Sequence, residues 1–186
     1  MNLKDLNINK TWTLFLDRDG VINRLRENDY VKNWNEFEFI PGVKESIAGL
    51  SKIFGRIVVV TNQQGIGKGL YTAQDLNQIH SKMISAIEDA GGKIDRIYFA
   101  PALEIENSPL RKPNTGMAEL AVSDFPDIQL NKSIIVGDSV TDMIFGKRAG
   151  MKTVFVGNKN VNENEMKMIE YRVLDLFDFW TTLISQ

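Results

Sequence analysis

Five short runs of mostly apolar residues, rich in β-branched side chains, punctuate the chain at residues 12–16, 56–60, 94–100, 133–136 and 152–156. Runs of this length without polar alternation suit strands buried on both faces, as in a parallel sheet covered by helices. The segments between them carry helical start and stop signals. Pro41 opens a helix over 43–53. Thr72 caps one over 73–90, which Gly91 and Gly92 end. Asn114 or Thr115 caps a third that runs through 122, and Ser139 starts a fourth that stops at Gly150. From Tyr171 a short strand leads into an amphipathic helix whose apolar positions, Leu174, Phe177, Trp180 and Leu183, lie three apart. That spacing predicts a last layer packed on the same domain. Strand and helix alternate throughout with neither repeat nor linker. Residues 1–186 are therefore expected to form one α/β domain around a central parallel sheet.

At 186 residues and 43% hydrophobic content, the chain has enough apolar mass for a sizeable core. A formal net charge of -2 leaves no basic footprint for nucleic acid and favours small-molecule partners. The stretch 1–10 is polar and lacks an apolar core of signal-peptide length. No apolar run approaches the roughly 20 residues of a membrane span, so a cytoplasmic protein with no membrane contact is expected. The chain contains no cysteine, which excludes disulfides and thiolate metal sites.

In open sheets of this kind, ligands bind outside the carboxyl ends of the strands. Polar residues gather at that edge beyond four of the predicted strands. Asp17 and Asp19 follow the first, and Thr61, Asn62 and Gln63 follow the second. Arg111 and Lys112 lie in the loop beyond the third, and Gly137 and Asp138 follow the fourth. Strand alternation lets Asp17 and Asp19 leave the sheet on the same side, while Gly20 lets the backbone turn away beside them. One carboxylate can then attack while the other handles a proton, as phosphoryl transfer to and from an ester requires. Taken alone, the pair also suits two ordinary loop carboxylates at a strand end.

Asp17 as nucleophile would form an aspartyl-phosphate and split one hard displacement into two easier ones. Asp19 is then placed to protonate the leaving alkoxide and afterwards to deprotonate the attacking water. Two anions beside a dianionic phosphate repel, so the site requires a cation, and hard oxygen donors favour magnesium. Asp138 is the natural third ligand. Asp142, one helical turn further on the same face, either supports the metal or simply charges the first turn of a helix. Thr61 offers a hydroxyl and nearby backbone N–H groups to a phosphoryl oxygen, and Lys112 offers a full positive charge. Each of these two is unremarkable in isolation; their joint occurrence in this order points to a site. The glycine loop 65–69 fits neither a Walker loop nor a dinucleotide fingerprint and is expected to shape the pocket as a turn. His80 sits mid-helix beside Ile79 and is expected to be structural.

In order and spacing these clusters resemble those of the haloacid dehalogenase superfamily of phosphatases, over roughly residues 13–157. The resemblance implies a Rossmann-like fold with strands in the order 5-4-1-2-3. It also implies Asp17 as nucleophile and magnesium ligand, and Asp19 as acid/base with its backbone carbonyl on the metal. Thr61 and Lys112 become phosphate binders, and Asp138 a magnesium ligand supported by Asp142. A narrower likeness lies in Asp-Arg-Asp-Gly-Val-Ile-Asn at 17–23, Tyr30-Val31, Phe-Glu-Phe-Ile-Pro-Gly-Val at 37–43, Thr-Asn-Gln-Gln-Gly-Ile at 61–66 and Arg111-Lys112-Pro113. These segments are similar to the heptose-bisphosphate and histidinol-phosphate phosphatases. Carried over by position, Asn62 and Arg111 contact substrate, Arg111 reaching a second phosphate with its fork of donors. Arg18, inside the first motif, is a further substrate-binding candidate.

Members of that subfamily often carry a zinc loop of three cysteines and a histidine before the Arg-Lys-Pro element. Here Ala-Pro-Ala at 100–102 and Ser-Pro-Leu at 108–110 occupy the stretch, so no zinc is expected and the loop 101–110 must be ordered by packing and its prolines. The intervals between clusters leave room for a short flap at 21–39 but not for a helical cap, which implies a capless enzyme with an open pocket. The expected function is a magnesium-dependent phosphatase of a small phosphorylated metabolite. By resemblance, the leading substrate is a sugar bisphosphate, D-glycero-D-manno-heptose 1,7-bisphosphate, losing its 7-phosphate. Histidinol phosphate and a polynucleotide 3'-phosphate are the alternatives, the acidic balance weighing against the second. A phosphosugar-binding domain on a dead phosphatase fold is the non-enzymatic alternative; a nucleophile beside a proton donor speaks against it.

Overall fold

A computed structural model describes residues 3–185; residues 1, 2 and 186 of the expected domain lie outside the described residues. Six parallel strands form one sheet: β1 (Thr13–Leu16), β2 (Arg56–Asn62), β3 (Arg96–Ala100), β4 (Ser133–Gly137), β5 (Lys152–Val156) and β6 (Tyr171–Val173). They lie in the order β3-β2-β1-β4-β5-β6, which is the expected 5-4-1-2-3 order read from the other edge with β6 added beyond β5. Central β1 pairs with β2 and β4 in a register that sets Leu16 opposite Val59 on one side and Val136 on the other. Asp17 therefore emerges between two strand ends, its N–H donating to the Val136 carbonyl at 3.0 Å.

The helices are α1 (Val43–Ile53), α2 (Ala73–Glu88), α3 (Gly116–Asp124), α4 (Val140–Ala149), short α5 (Glu163–Met166) and α6 (Leu176–Ile184). Because side chains alternate across a strand, β1, β2 and β4 each feed two cores. Leu14, Leu16, Ile57, Val59, Ile134 and Val136 pack with α1, α2, α6 and the flap. Phe15, Val58, Val60 and Ile135 pack on the other face with α3 and α4. Thr72 and Ser139 close capping boxes with Asp75 and Asp142, and Gly150 ends α4 in the left-handed region at φ 79°. No described helix is long and apolar enough to cross a membrane.

Three features depart from the sequence pattern. First, β2 runs two residues beyond its expected end at 60, because β3 continues alongside it and pairs Thr61 with Phe99 and Asn62 with Ala100. Thr61 and Asn62 thus sit on a hydrogen-bonded ladder instead of a loop. Second, the last helix packs on the core through the expected Trp180 and Leu183 but also through Leu176 and Phe179, while Leu174 and Phe177 are exposed. Asp175 caps that helix, so Leu174 precedes it and cannot share its inward face. Third, Thr115 stands at the start of α3 without capping it through its side chain; its hydroxyl donates to Glu119 instead.

The loop 101–110 is tied down by hydrogen bonds. Gly67 N–H donates to the Pro101 carbonyl at 3.1 Å, Leu103 N–H to the Glu106 carboxylate at 2.6 Å, and the Asn114 amide to the Ser108 carbonyl at 3.0 Å. The flap is anchored by buried Val21, Ile22, Val31 and Phe37, with Trp34 stacked on Phe37 at 4.9 Å.

Helix α4, which carries Asp142, is pressed onto the sheet at a glycine: a Cβ at Gly146 would lie 2.3 Å from Ile135 Cγ2 and 2.8 Å from Thr153 Cγ2. Gly146→Ala is expected to cost about 1–3 kcal/mol by overpacking, in spite of alanine's better helix propensity. Urea unfolding checks this as a lower midpoint at unchanged slope. A raised midpoint would mean that α4 has room to accept the methyl group.

Candidate active site

The carboxyl edge of the sheet opens into a cavity of about 170 Å³ lined by Asp17, Asp19, Thr61, Asn62, Lys112 and Asp138. Its outer wall is the flap, through Leu25, Arg26, Asp29, Tyr30 and Val31. Three of the residues expected at the site, Arg18, Arg111 and Asp142, do not line it.

Lys112 is buried, and its ammonium has a distinct partner for each of its three donors. It meets Asp142 Oδ1 at 2.5 Å, the Val60 carbonyl at 2.8 Å and Asp17 Oδ1 at 3.0 Å. Burial pushes the lysine's pKa down, but the Asp142 and Asp17 carboxylates outweigh it and hold it up at about 12. Asn62 fixes the backbone that carries this lysine: its Nδ2 donates to the Lys112 carbonyl and its Oδ1 accepts from the Lys112 N–H, both at 3.0 Å. The amide expected to touch substrate is therefore committed to holding Lys112 in place.

Asp142 is fully buried and spends both oxygens, Oδ1 on Lys112 and Oδ2 on the Ser139 hydroxyl and N–H of the capping box. The buried charge that starts α4 is thus also the anchor of Lys112.

Asp17 is pushed up to about 7, chiefly by burial; Lys112 pulls it down, and Asp142, Asp138 and Asp19 push it further up. Asp19 is different. Burial raises its pKa, but the Arg18 charge and hydrogen bonds from Arg18, Asn23 and Gln63 outweigh that and hold it below the usual carboxylate range. Arg18 Nη2 contacts both carboxylate oxygens at 2.9 and 2.8 Å, Asn23 Nδ2 one at 2.9 Å and Gln63 Nε2 the other at 2.8 Å.

The expectation for Arg18 is corrected: its side chain is 1% exposed and grips Asp19 from behind, with Nη1 3.2 Å from His80 Nε2. Burial, then the Arg18 charge, lowers His80 to about 3, so the imidazole stays neutral and accepts this bond. An arginine between two aspartates in sequence has no reason to face the same way as they do, because strand alternation sends it to the opposite side.

Gln63 and Asn23 escaped assignment, although both stand in the motifs singled out above. Gln63 Nε2 also donates to Thr61 Oγ1 at 2.9 Å, and its Oε1 accepts from Tyr71 at 2.5 Å. Their signal was the spacing: Gln63 lies two residues beyond Thr61, on the same side of an extended segment. Arg111 is half-buried, and its Nη1 is buried without a hydrogen-bond partner among the described residues.

Oxygens of Asp17, Asp138 and Asp142 lie within 4.8 Å of one another. An all-oxygen, carboxylate-rich set of this kind fits a hard divalent cation such as magnesium. Burial raises the pKa of Asp138, its largest cause, against a hydrogen bond from Lys159 that lowers it.

A family model described as polynucleotide kinase 3 phosphatase matches residues 13–171. The chain is 42% identical over 132 residues to the D-glycero-alpha-D-manno-heptose-1,7-bisphosphate 7-phosphatase of Mycobacterium tuberculosis (strain ATCC 25618 / H37Rv), covering 71% of this chain and 70% of that one. It is 36% identical over 172 residues to the D-glycero-beta-D-manno-heptose-1,7-bisphosphate 7-phosphatase of Neisseria meningitidis (serogroup B, strain MC58), covering 89% and 91%. The crystal structure of D,D-heptose 1,7-bisphosphate phosphatase from B. bronchiseptica, complexed with magnesium and phosphate, matches with a TM-score of 0.82 at 30% identity, covering 93% of this chain and 98% of that one. Fold and relatives together define a phosphatase of the haloacid dehalogenase superfamily. Within it, the chain belongs to the polynucleotide kinase 3 phosphatase family.

The raised Asp17 pKa has a consequence for stability. A carboxyl held above its unfolded value stabilises the fold below that value, near 3.8, and loses the contribution as pH rises through about 7. In chelator, Asp17→Asn is expected to unfold at a higher temperature than wild type near pH 8. The advantage should shrink toward pH 4, the whole effect amounting to at most about 4 kcal/mol. Melting curves of the two proteins between pH 4 and 8 test this; parallel pH dependence would contradict the buried-charge cost.

Proposed function

We propose that the protein hydrolyses the 7-phosphate of D-glycero-D-manno-heptose 1,7-bisphosphate through an aspartyl-phosphate on Asp17. The observation that carries the reading is the juxtaposition in one cavity of Asp17, the Lys112 ammonium on one of its oxygens, and Asp19 two residues on. Asp17 and Asp138 would hold magnesium, which supplies charge neutralisation and Lewis-acid polarisation of the phosphoryl group when bound. Asp142 acts here as the anchor of Lys112.

Asp17 attacks phosphorus, the ester P–O bond breaks, and the departing alkoxide takes a proton from Asp19. Asp19 then removes a proton from water, whose oxygen attacks the aspartyl-phosphate, releasing phosphate and restoring the Asp17 carboxylate. Thr61 Oγ1 accepts from Gln63, so its hydroxyl hydrogen is left to donate to a phosphoryl oxygen. Lys112 opposes charge on the same group while balancing Asp17. The donors around Asp19 favour the ionised form that activates water. To protonate the alkoxide, Asp19 must first take up a proton from solvent, which requires it to turn from the Arg18 donors toward the cavity. Arg26 and Asp29 of the flap line the cavity where the rest of the substrate would lie; Arg111 stands outside that lining, and its buried, orphaned Nη1 would have to be uncovered to meet a second phosphate.

Phosphate release with magnesium from both heptose bisphosphate anomers, histidinol phosphate and a 3'-phosphorylated oligonucleotide tests the substrate. A preference of about a hundredfold in kcat/KM for one heptose anomer is expected, equivalent to about 2.7 kcal/mol of transition-state binding. Weak, even rates across the panel would dismiss the heptose. Asp17→Asn is expected to abolish turnover with far-UV circular dichroism unchanged; substantial residual activity would remove Asp17 from the nucleophile's role. For Asp19→Asn, alkyl phosphates should slow by about 10²–10⁴-fold and p-nitrophenyl phosphate by much less, since its leaving group needs no proton. Equal losses for both would count against acid catalysis.

A further inference from the structure

Lys159 lies in the loop after β5 and reaches across the end of β4. Its Nζ donates to Asp138 Oδ2 at 2.6 Å and to the Asp138 carbonyl at 3.2 Å. The lysine side chain is 55% exposed and that of Asp138 only 12%. The same oxygen packs against Gly20, where an added Cβ would come within 2.4 Å of it. Asp138 forms a wall between two hollows: the catalytic cavity, and an outer groove that also holds Gly20, Gly157 and Lys159. With Oδ2 engaged on the groove side, Oδ1 is left free of hydrogen bonds to described residues and available to the cavity.

The loop that carries Lys159 is held from the sheet edge. Arg172 of β6 donates to the Lys159 carbonyl at 3.1 Å while its guanidinium lies over the Phe155 ring at 4.8 Å. The added strand β6 thereby supports a contact made at the catalytic edge. Electrostatics point the same way. Asp17, Asp138 and Asp142 bring three carboxyl groups together, Lys112 is shared between two of them, and Lys159 reaches the third.

We propose that Lys159 is a positioning residue for the divalent cation, clamping Asp138 Oδ2 so that Oδ1 is presented to the ion. The proposal rests on the reading of Asp17 and Asp138 as its holders. A carboxylate with one oxygen fixed from outside loses less freedom on binding a metal, and such outer partners are worth about 10–100-fold in affinity. The opposing effect, repulsion between ammonium and metal, is weakened because Lys159 is solvent-exposed and bonds to the oxygen turned away from the cavity.

The test is titration of the full-length protein with magnesium chloride, by calorimetry and by the magnesium-induced rise in melting temperature. Lys159→Met keeps the apolar stem and removes the ammonium; it is expected to weaken magnesium binding about tenfold or more. Lys159→Arg, which can still donate to Asp138, is expected to restore most of the affinity. Unchanged binding in Lys159→Met would overturn the clamp, and tighter binding would make Lys159 a competitor of the metal instead. Asp138→Asn separates the two layers. If it abolishes binding while Lys159→Met does not weaken it, the lysine's role alone fails. If Asp138→Asn binds magnesium like wild type, Asp138 does not hold the ion and the clamp falls with that reading.

Discussion

The Lys112 ammonium is buried with its donors divided among Asp17, Asp142 and the Val60 carbonyl, and the arrangement of the whole edge follows from those contacts. Burial at the end of β1 makes Asp17 costly to ionise, and the one ammonium that lowers this cost lies also against Asp142 in the first turn of α4. Removing the Lys112 ammonium leaves the fully buried Asp142 uncompensated, a loss that typically costs about 3–5 kcal/mol, so the elements that carry the two are tied together. The lysine joins the loop before α3 to the end of β2 and to the first turn of α4. Asn62 reinforces the first of these joints through the backbone on either side of the lysine.

Around this centre the two neighbouring aspartates are given different environments. Asp17 is buried among like charges and is pushed toward neutrality, whereas Asp19 is surrounded by donors and held ionised. Their separation in sequence is two residues; their separation in chemistry comes from Arg18, Asn23 and Gln63, which crowd only one of them. Behind Arg18, a neutral His80 completes the support, so a helix on one face of the sheet helps to set the state of a carboxylate at its edge.

Access is governed by short segments instead of a separate cap. The flap contributes five residues to the cavity wall while its Val21, Ile22, Val31 and Phe37 are buried in the core. Its Tyr30 hydroxyl accepts from Lys68 of the glycine loop, which couples two elements that border the opening. The loop 101–110, without cysteine, is held by backbone and side-chain hydrogen bonds that fasten it to the glycine loop on one side and to the start of α3 on the other.

The strands, most helix limits and the four polar clusters were legible in the sequence because each depends on local pattern: uninterrupted apolar runs, capping residues such as Thr72 and Ser139, and a glycine such as Gly150 where the chain turns left-handed. The end of β2 was not, since its last two residues are extended by pairing with β3 and not by their own propensity. Nor was the whole inward face of α6, where buried Leu176 and Phe179 join the expected Trp180 and Leu183 while Phe177 is exposed. The identity of Asp17, Asp19, Thr61, Lys112 and Asp138 as a group came from the chain alone. Which way each side chain points did not. Arg18 turns from the cavity to His80, 62 residues away; Asp142 turns to Lys112, 30 away; Asp138 is met by Lys159, 21 away. Such meetings depend on strand order and on how loops return across the sheet edge. A local pattern carries no information about either, whereas burial and charge pairing in the folded chain decide both.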